Sequence, residues 1–226
     1  MQLRKLLLLP VILLTGSPLS MAQTPSGDTK PSVVDIVALV DEGKYREAQM
    51  LVNTLLVDGC TDDALYYYQG VCRMNTAELA AAEESFLKAF AADTANVWYC
   101  SALITYYSAM SRPHELCEYY ARARVLDPGQ FGTPYHLTRY GDALRASRRP
   151  KEAEAVYREA FGQDQDCLEA LLGLCEVKLG TQDYASFFAL SDYLVKRPDI
   201  PSALKGEYIE NVFGVFNKEM FAWWHE

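Results

Sequence analysis

Apolar and small residues return along this chain with the spacing of a helix face, not of a strand. In AEESFLKAFAADTAN, residues 82–96, Ala82, Phe86 and Ala89 lie four and three residues apart. On a helix that spacing places them on one side, in the order small, large, small. The triplet recurs as Ala48, Val52 and Leu55; Leu116, Tyr120 and Ala123; Ala153, Tyr157 and Ala160; and Ala185, Ala189 and Asp192. Successive first members are 34, 34, 37 and 32 residues apart. Twelve residues before each stands Ile36, Gly70, Ile104, Gly141 or Gly173, inside a preceding apolar stretch. A period near 34, with small residues where two helices must approach, predicts stacked helix–turn–helix units. No such unit covers its own apolar face alone, so neighbours must stack.

Turn chemistry points the same way. Gly43 in DEGKYREA falls between two helices, and Asp127 and Pro128 in VLDPGQ end one, because proline cannot continue a helix without losing a bond. Pro113 in MSRPHE and Pro150 in SRRPKE suit a first helical turn, where a missing N–H does no harm. No alternating strand pattern competes. The expected fold class is all-α.

Gly141, Ala153, Tyr157 and Ala160, in YGDALRASRRPKEAEAVYREAFGQD, resemble the tetratricopeptide repeat family, as do the units from Asp63 to Asn96 and from Val97 to Gln130. The resemblance covers residues 29–199, about five units. It implies a right-handed superhelical array of antiparallel helix pairs. Leu116 stands where the family places a small residue, which should widen the third pair. Ala189 and Asp192 replace the aromatic and the small residue of the fifth unit, which therefore reads as degenerate. Residues 200–226 carry a helical stripe of Ile209, Val212, Phe213, Phe216 and Met220, expected to cap the last repeat. The alternative for this segment is a partner-binding tail using Phe221, Trp223 and Trp224.

The first residues are expected to lie outside the fold. Arg4 and Lys5 precede the apolar run LLLLPVILL, and Ser20 and Ala22 follow as small residues. That is the layout of a signal peptide, residues 1–22, with cleavage after Ala22 and a short linker at 23–28. The run is interrupted by Pro10 and falls short of the ~20 apolar residues that a membrane span needs. The expected product is periplasmic or secreted, with no integral span. The formal charge of −9 becomes more negative once the two leader cations are removed. Such a chain lacks the excess of Lys and Arg that nucleic acid or an anionic lipid surface requires.

Catalytic chemistry is not nominated. The sequence has no Gly-rich phosphate loop, no H-E-x-x-H, no G-x-S-x-G and no C-x-x-C. His114 and Cys117 could share a helix face, but no further zinc ligands accompany them. His136 and His225 read as polar surface or groove residues. The cysteines, Cys60, Cys72, Cys100, Cys117, Cys167 and Cys175, are too widely placed on the expected helices for bridges, with Cys72 and Cys100 alone conceivable. No disulfide, metal, cofactor or catalytic residue is expected.

The resemblance implies a protein-interaction module that holds a peptide or partner segment in a concave groove lined by the first helix of each unit. On the matching face stand Ala64, Tyr67, Val71 and Met74; then Trp98, Ser101, Thr105 and Ser108; then Tyr135, Thr138, Asp142 and Arg145. The carboxylate clamp of chaperone-binding members needs several basic positions, and here only Arg139 is basic among Tyr67, Val71, Ala102, Tyr135 and Arg139. Aromatic contacts are expected instead, with Arg145 pairing an acidic group of the partner. The expected function is a non-enzymatic adaptor binding a protein or peptide, its oligomeric state open with a monomer favoured. The alternatives are a structural subunit assembling through its convex or C-terminal surface and a component binding a glycan or small ligand.

Overall fold

The structure, a computed structural model, describes residues 31–208, 210 and 214. The expected leader and linker, residues 1–28, the stripe from Ile209 onward and the tail aromatics lie outside the described residues. Within them the chain forms α1 (Val33–Asp41), α2 (Tyr45–Val57), α3 (Ala64–Asn75), α4 (Leu79–Ala92), α5 (Val97–Ala109), α6 (Pro113–Leu126), α7 (Pro128–Phe131), α8 (Pro134–Ala146), α9 (Pro150–Gln163), α10 (Leu168–Gly180) and α11 (Tyr184–Lys196). Residues 202–208 are also helical, and no strand occurs among the described residues. Proline occupies the first turn of α6, α7, α8 and α9, with φ already set for the helix.

The repeat is written in the backbone as well as in the side chains. The turn from the first to the second helix of each pair passes through a residue with positive φ: Gly43, Ala77, Ser111, Arg148 and Gln182. In every case the following N–H reaches back to the carbonyl five residues earlier. These bonds run from Lys44 to Leu39, Glu78 to Arg73, Arg112 to Tyr107, Arg149 to Leu144 and Asp183 to Lys178, at 2.8–3.0 Å. Such a left-handed cap satisfies carbonyls that the helix end would otherwise orphan. Only the first of the five turns uses glycine, so the other four accept roughly 1 kcal/mol of backbone strain each.

These turns correct the register of the fifth unit. Arg148 and Gln182 are spaced as Gly43 and Ala77 are, so the last unit follows the fourth by a full period. Ala185, Ala189 and Asp192, expected on the buried face, are exposed. The face that packs inward instead carries Phe187 and Leu194, each 1% exposed, with half-buried Ser191 between them. In this register too the unit departs from the repeat pattern. Its small and large residues are simply exchanged, with Phe187 standing where Ala153 stands in α9. The longer step between the third and fourth units is the insertion of α7, a single turn capped by Asp127, whose Oδ1 accepts from the Gln130 N–H at 2.9 Å. It buries Phe131 to 1% exposure. At the departure in α6, Leu116 is half-buried and its neighbour Cys117 fills the interior.

Packing explains the glycines. A Cβ on Gly70 would come within 2.5 Å of the Phe86 ring. Tyr157 lies between two such glycines, its ring 2.6 Å from a Cβ built on Gly141 and 2.5 Å from one on Gly173. Its second helix is thus locked both to its own first helix and to the first helix of the next pair.

The chain divides into two compact units, with the boundary inside α5 between Tyr106 and Tyr107. In the first, α3 packs against α1, α2 and α4. In the second, α8 packs against α6, α7, α9 and α10, and α10 packs against α11. Within each compact unit, first helices meet their pair-mates and one another, as α1 and α3 or α8 and α10 do, and the second helices α2 and α9 also meet the first helix of the next pair. At the far end Leu171, Leu194 and Ile200 form one apolar cluster and Cys175, Leu179 and Phe187 another, with Tyr208 packed against both. No helix among the described residues is long and apolar enough to cross a membrane.

Candidate interaction face

The residues expected to line a groove divide into two groups by environment. In the first unit, Tyr67 is interior, not groove: it is 7% exposed, with its ring centroid 5.0 Å from Tyr68 and 5.7 Å from Tyr99. Burial pushes its phenol pKa well above the ordinary range. Phe86 on α4 draws it inward at 6.3 Å, which the spacing on α3 alone does not reveal. Ala64, Val71, Met74, Trp98 and Ser101 are half-buried, and Thr105 is exposed with its hydroxyl donating to the Ser101 carbonyl at 3.0 Å. The Trp98 backbone N–H donates to Asn96 Oδ1 at 3.0 Å, which fixes the start of α5.

In the second unit the face of α8 is charged and largely self-satisfied. Thr138 is buried; its hydroxyl donates to the Pro134 carbonyl at 2.8 Å and lies 3.5 Å from Cys167 Sγ. Asp142 Oδ1 accepts from the Tyr157 hydroxyl at 2.8 Å. Arg145, expected to meet a partner's acid, instead pairs with Glu176 of α10 at 2.8 Å and stands 3.8 Å from Asp142. Burial alone would lower the pKa of Arg145, but Glu176, Tyr157 and Asp142 outweigh it and the net direction is up. Its charge is committed inside the fold.

Tyr135 is the outlier of this face. It is 55% exposed, yet its ring is held on two sides. The Arg139 guanidinium lies over it at 5.5 Å from the centroid, and His136 meets it edge-on at 5.1 Å. Arg139 is itself anchored 3.9 Å from Asp142. A cation stacked on an aromatic face at an exposed site contributes about 0.5–1 kcal/mol, enough to bias the pose of the ring. The result is a presented aromatic with a cation above it, on a helix.

Two participants were not legible on the face as counted from the sequence. Glu176 stands one period after Asp142, but a register for the last unit taken from Gly173 misplaces it. His136, expected at the surface or in the groove, is half-buried against Phe131, whose helix α7 no repeat pattern announces. Among the described residues no group of His, Cys, Asp and Glu is arranged to hold a metal ion. Cys72, Cys117 and Cys175 are buried, and burial raises their thiol pKa values, that of Cys72 to about 12. Thiols so poised are poor nucleophiles.

No protein-family model matches the chain, and no curated protein is similar to it in sequence. Solved structures are similar in fold. YrrB, described as a TPR protein with an unusual peptide-binding site, superposes with a TM-score of 0.62 at 18% identity, over 76% of this chain and 88% of its own. MamA of AMB-1 gives 0.61 at 17% identity, over 76% of this chain and 93% of its own. A tetratricopeptide repeat protein from Parabacteroides merdae ATCC 43184 gives 0.58 at 16%, over 72% of this chain and 64% of its own. Together with the recurring caps and the aromatic-on-glycine packing, these superpositions establish that the chain has the tetratricopeptide repeat fold.

Proposed function

We propose that this chain is a non-enzymatic interaction module that holds a segment of another protein, with Tyr135 and Arg139 of α8 as its principal contact. The observation that carries the reading is the state of Tyr135, a large aromatic left 55% exposed while its pose is biased by its neighbours. An aromatic presented on a helix offers contact area at little entropic cost, which is why aromatic and Arg side chains dominate binding energies. The peptide-binding site described for YrrB supports the reading at the level of fold. The leader-like pattern of residues 1–22 adds that the module works outside the cytoplasm, with a mature N-terminus at Gln23. An N-terminal sequence of the exported form that still begins at Met1 would refute that part.

The test of the contact is capture from envelope extract by the purified chain and by Tyr135→Ala and Arg139→Glu variants with unchanged helical circular dichroism. A discrete protein retained by the parent chain should be lost from both variants, about tenfold or more in affinity. Retention at full affinity by both would move the site elsewhere. Phe188 and Val195 favour one other place, a surface for assembly: they lie one heptad apart on α11 and are 55% and 40% exposed. A partner insensitive to Tyr135→Ala but lost with Phe188→Ser would establish that second reading.

A further inference from the structure

His136 sits at the corner where α6, α7 and α8 meet. Its ring centroid is 4.7 Å from Phe131, 5.1 Å from Tyr135 and 6.3 Å from Tyr120. Its Nδ1 is buried and has no hydrogen-bond partner. Leaving such an atom unpaired costs free energy that a purely structural position would shed by carrying Phe or Leu. Among the described residues no anion is in contact with the imidazole. From α6 comes Tyr120, which stacks on Tyr140 at 5.7 Å, with Arg124 over Tyr140 at 5.8 Å. From α7 comes apolar Phe131, while the carboxylate preceding it, Asp127, is engaged with the Gln130 N–H. From α8 itself come Tyr135 and Arg139, the latter beside Asp142. A proton on His136 would therefore charge a ring whose buried Nδ1 has no acceptor to receive it.

We propose that His136 is a pH-sensitive wedge: neutral, it packs into the aromatic corner and props Tyr135 outward, and protonated, it moves toward water and takes the Tyr135 ring from its pose. The importance for binding rests on the interaction reading above, whereas the rearrangement itself does not. Burial lowers the His136 pKa from the ordinary 6.5. For a base depressed in the folded state, the neutral form is the stabilised one. Its contribution is thus present above 6.5 and lost as the pH falls from there through the folded value. Mild acidification, the range in which histidine alone among unperturbed side chains changes charge, would then release a bound segment.

The experiment is nuclear magnetic resonance of the chain labelled at histidine Cε1 and in the tyrosine rings, titrated from about pH 7.5 to about pH 5, the window in which histidine titrates. The His136 midpoint should fall below 6.5, and the Tyr135 ring resonances should move with that same midpoint. In His136→Phe, which keeps an aromatic wedge without a proton site, the Tyr135 resonances should stay flat, and His136→Gln serves if that variant folds poorly. His114→Gln should leave the shift intact. Tyr135 resonances that ignore the His136 midpoint, or that move equally in the His136 variants, overturn the proposal. If the shift is found but Tyr135→Ala does not weaken partner capture, the wedge stands and the interaction reading fails.

Discussion

Tyr157 shows most directly how a single residue holds the fold. Its ring fills the space that two glycines vacate on neighbouring first helices, and its hydroxyl donates to Asp142. Removing the ring takes away buried area and leaves a cavity at a junction of three helices, so Tyr157→Ala should cost roughly 3–5 kcal/mol. Tyr157→Phe keeps the ring and gives up a hydrogen bond to a charged acceptor, about 1.5–3 kcal/mol. Gly173→Ala attacks the same contact from the other side, forcing a ring that cannot flex away, and should cost about 1–3 kcal/mol. Urea denaturation of the three variants checks the order. A loss below ~1 kcal/mol for Tyr157→Ala would contradict the packing described.

Elements are joined by the left-handed caps. Ala77 holds φ at +65 between α3 and α4, a conformation that any Cβ disfavours. Ala77→Gly relieves that strain while adding freedom to the unfolded chain, so the net gain should be small, about 0.5 kcal/mol. Ala77→Val adds β-branching in the left-handed region and should cost about 1 kcal/mol or more. Thermal melts of the pair should bracket the parent, and a Val variant as stable as the parent would mean that the cap is not held as described. The insertion α7 is an element of another kind. Its burial of Phe131 sets an aromatic ring against His136, so three added residues in one step of the repeat surround one imidazole with apolar neighbours.

For the molecule as a whole, stability should divide along the stack. Phe86 contacts Gly70, Tyr67 and Tyr106, whereas Tyr157 contacts Gly141, Gly173 and Asp142. The two sets share no residue and fall in different compact units. Phe86→Ala should also cost roughly 3–5 kcal/mol, and a stabilised background is needed to keep the double variant folded and measurable. In that chain the two losses should add to within about 0.5 kcal/mol. A coupling well above this, found in a double-mutant cycle, would show the two units unfolding through shared contacts.

The all-helical class, the period, and the pairing of aromatics with glycines were all legible in the sequence, because they depend on spacing along one helix and on side-chain volume. Phe86 with Gly70 and Tyr157 with Gly141 can be matched by counting. Register in the last unit was not legible, since Phe187 and Leu194 stand where the pattern asks for small residues, and only the cap at Gln182 fixes the count. Nor could counting separate groove from core on α3, where Tyr67 lies on the expected outer face yet is drawn in by Phe86 and Tyr99. The commitments of Asp142 and Arg145 were hidden for the same reason, their partners Tyr157 and Glu176 belonging to other helices. Helical periodicity specifies which side of a helix a residue occupies. Which neighbour covers that side, and which charges are already spent there, is decided when the helices stack.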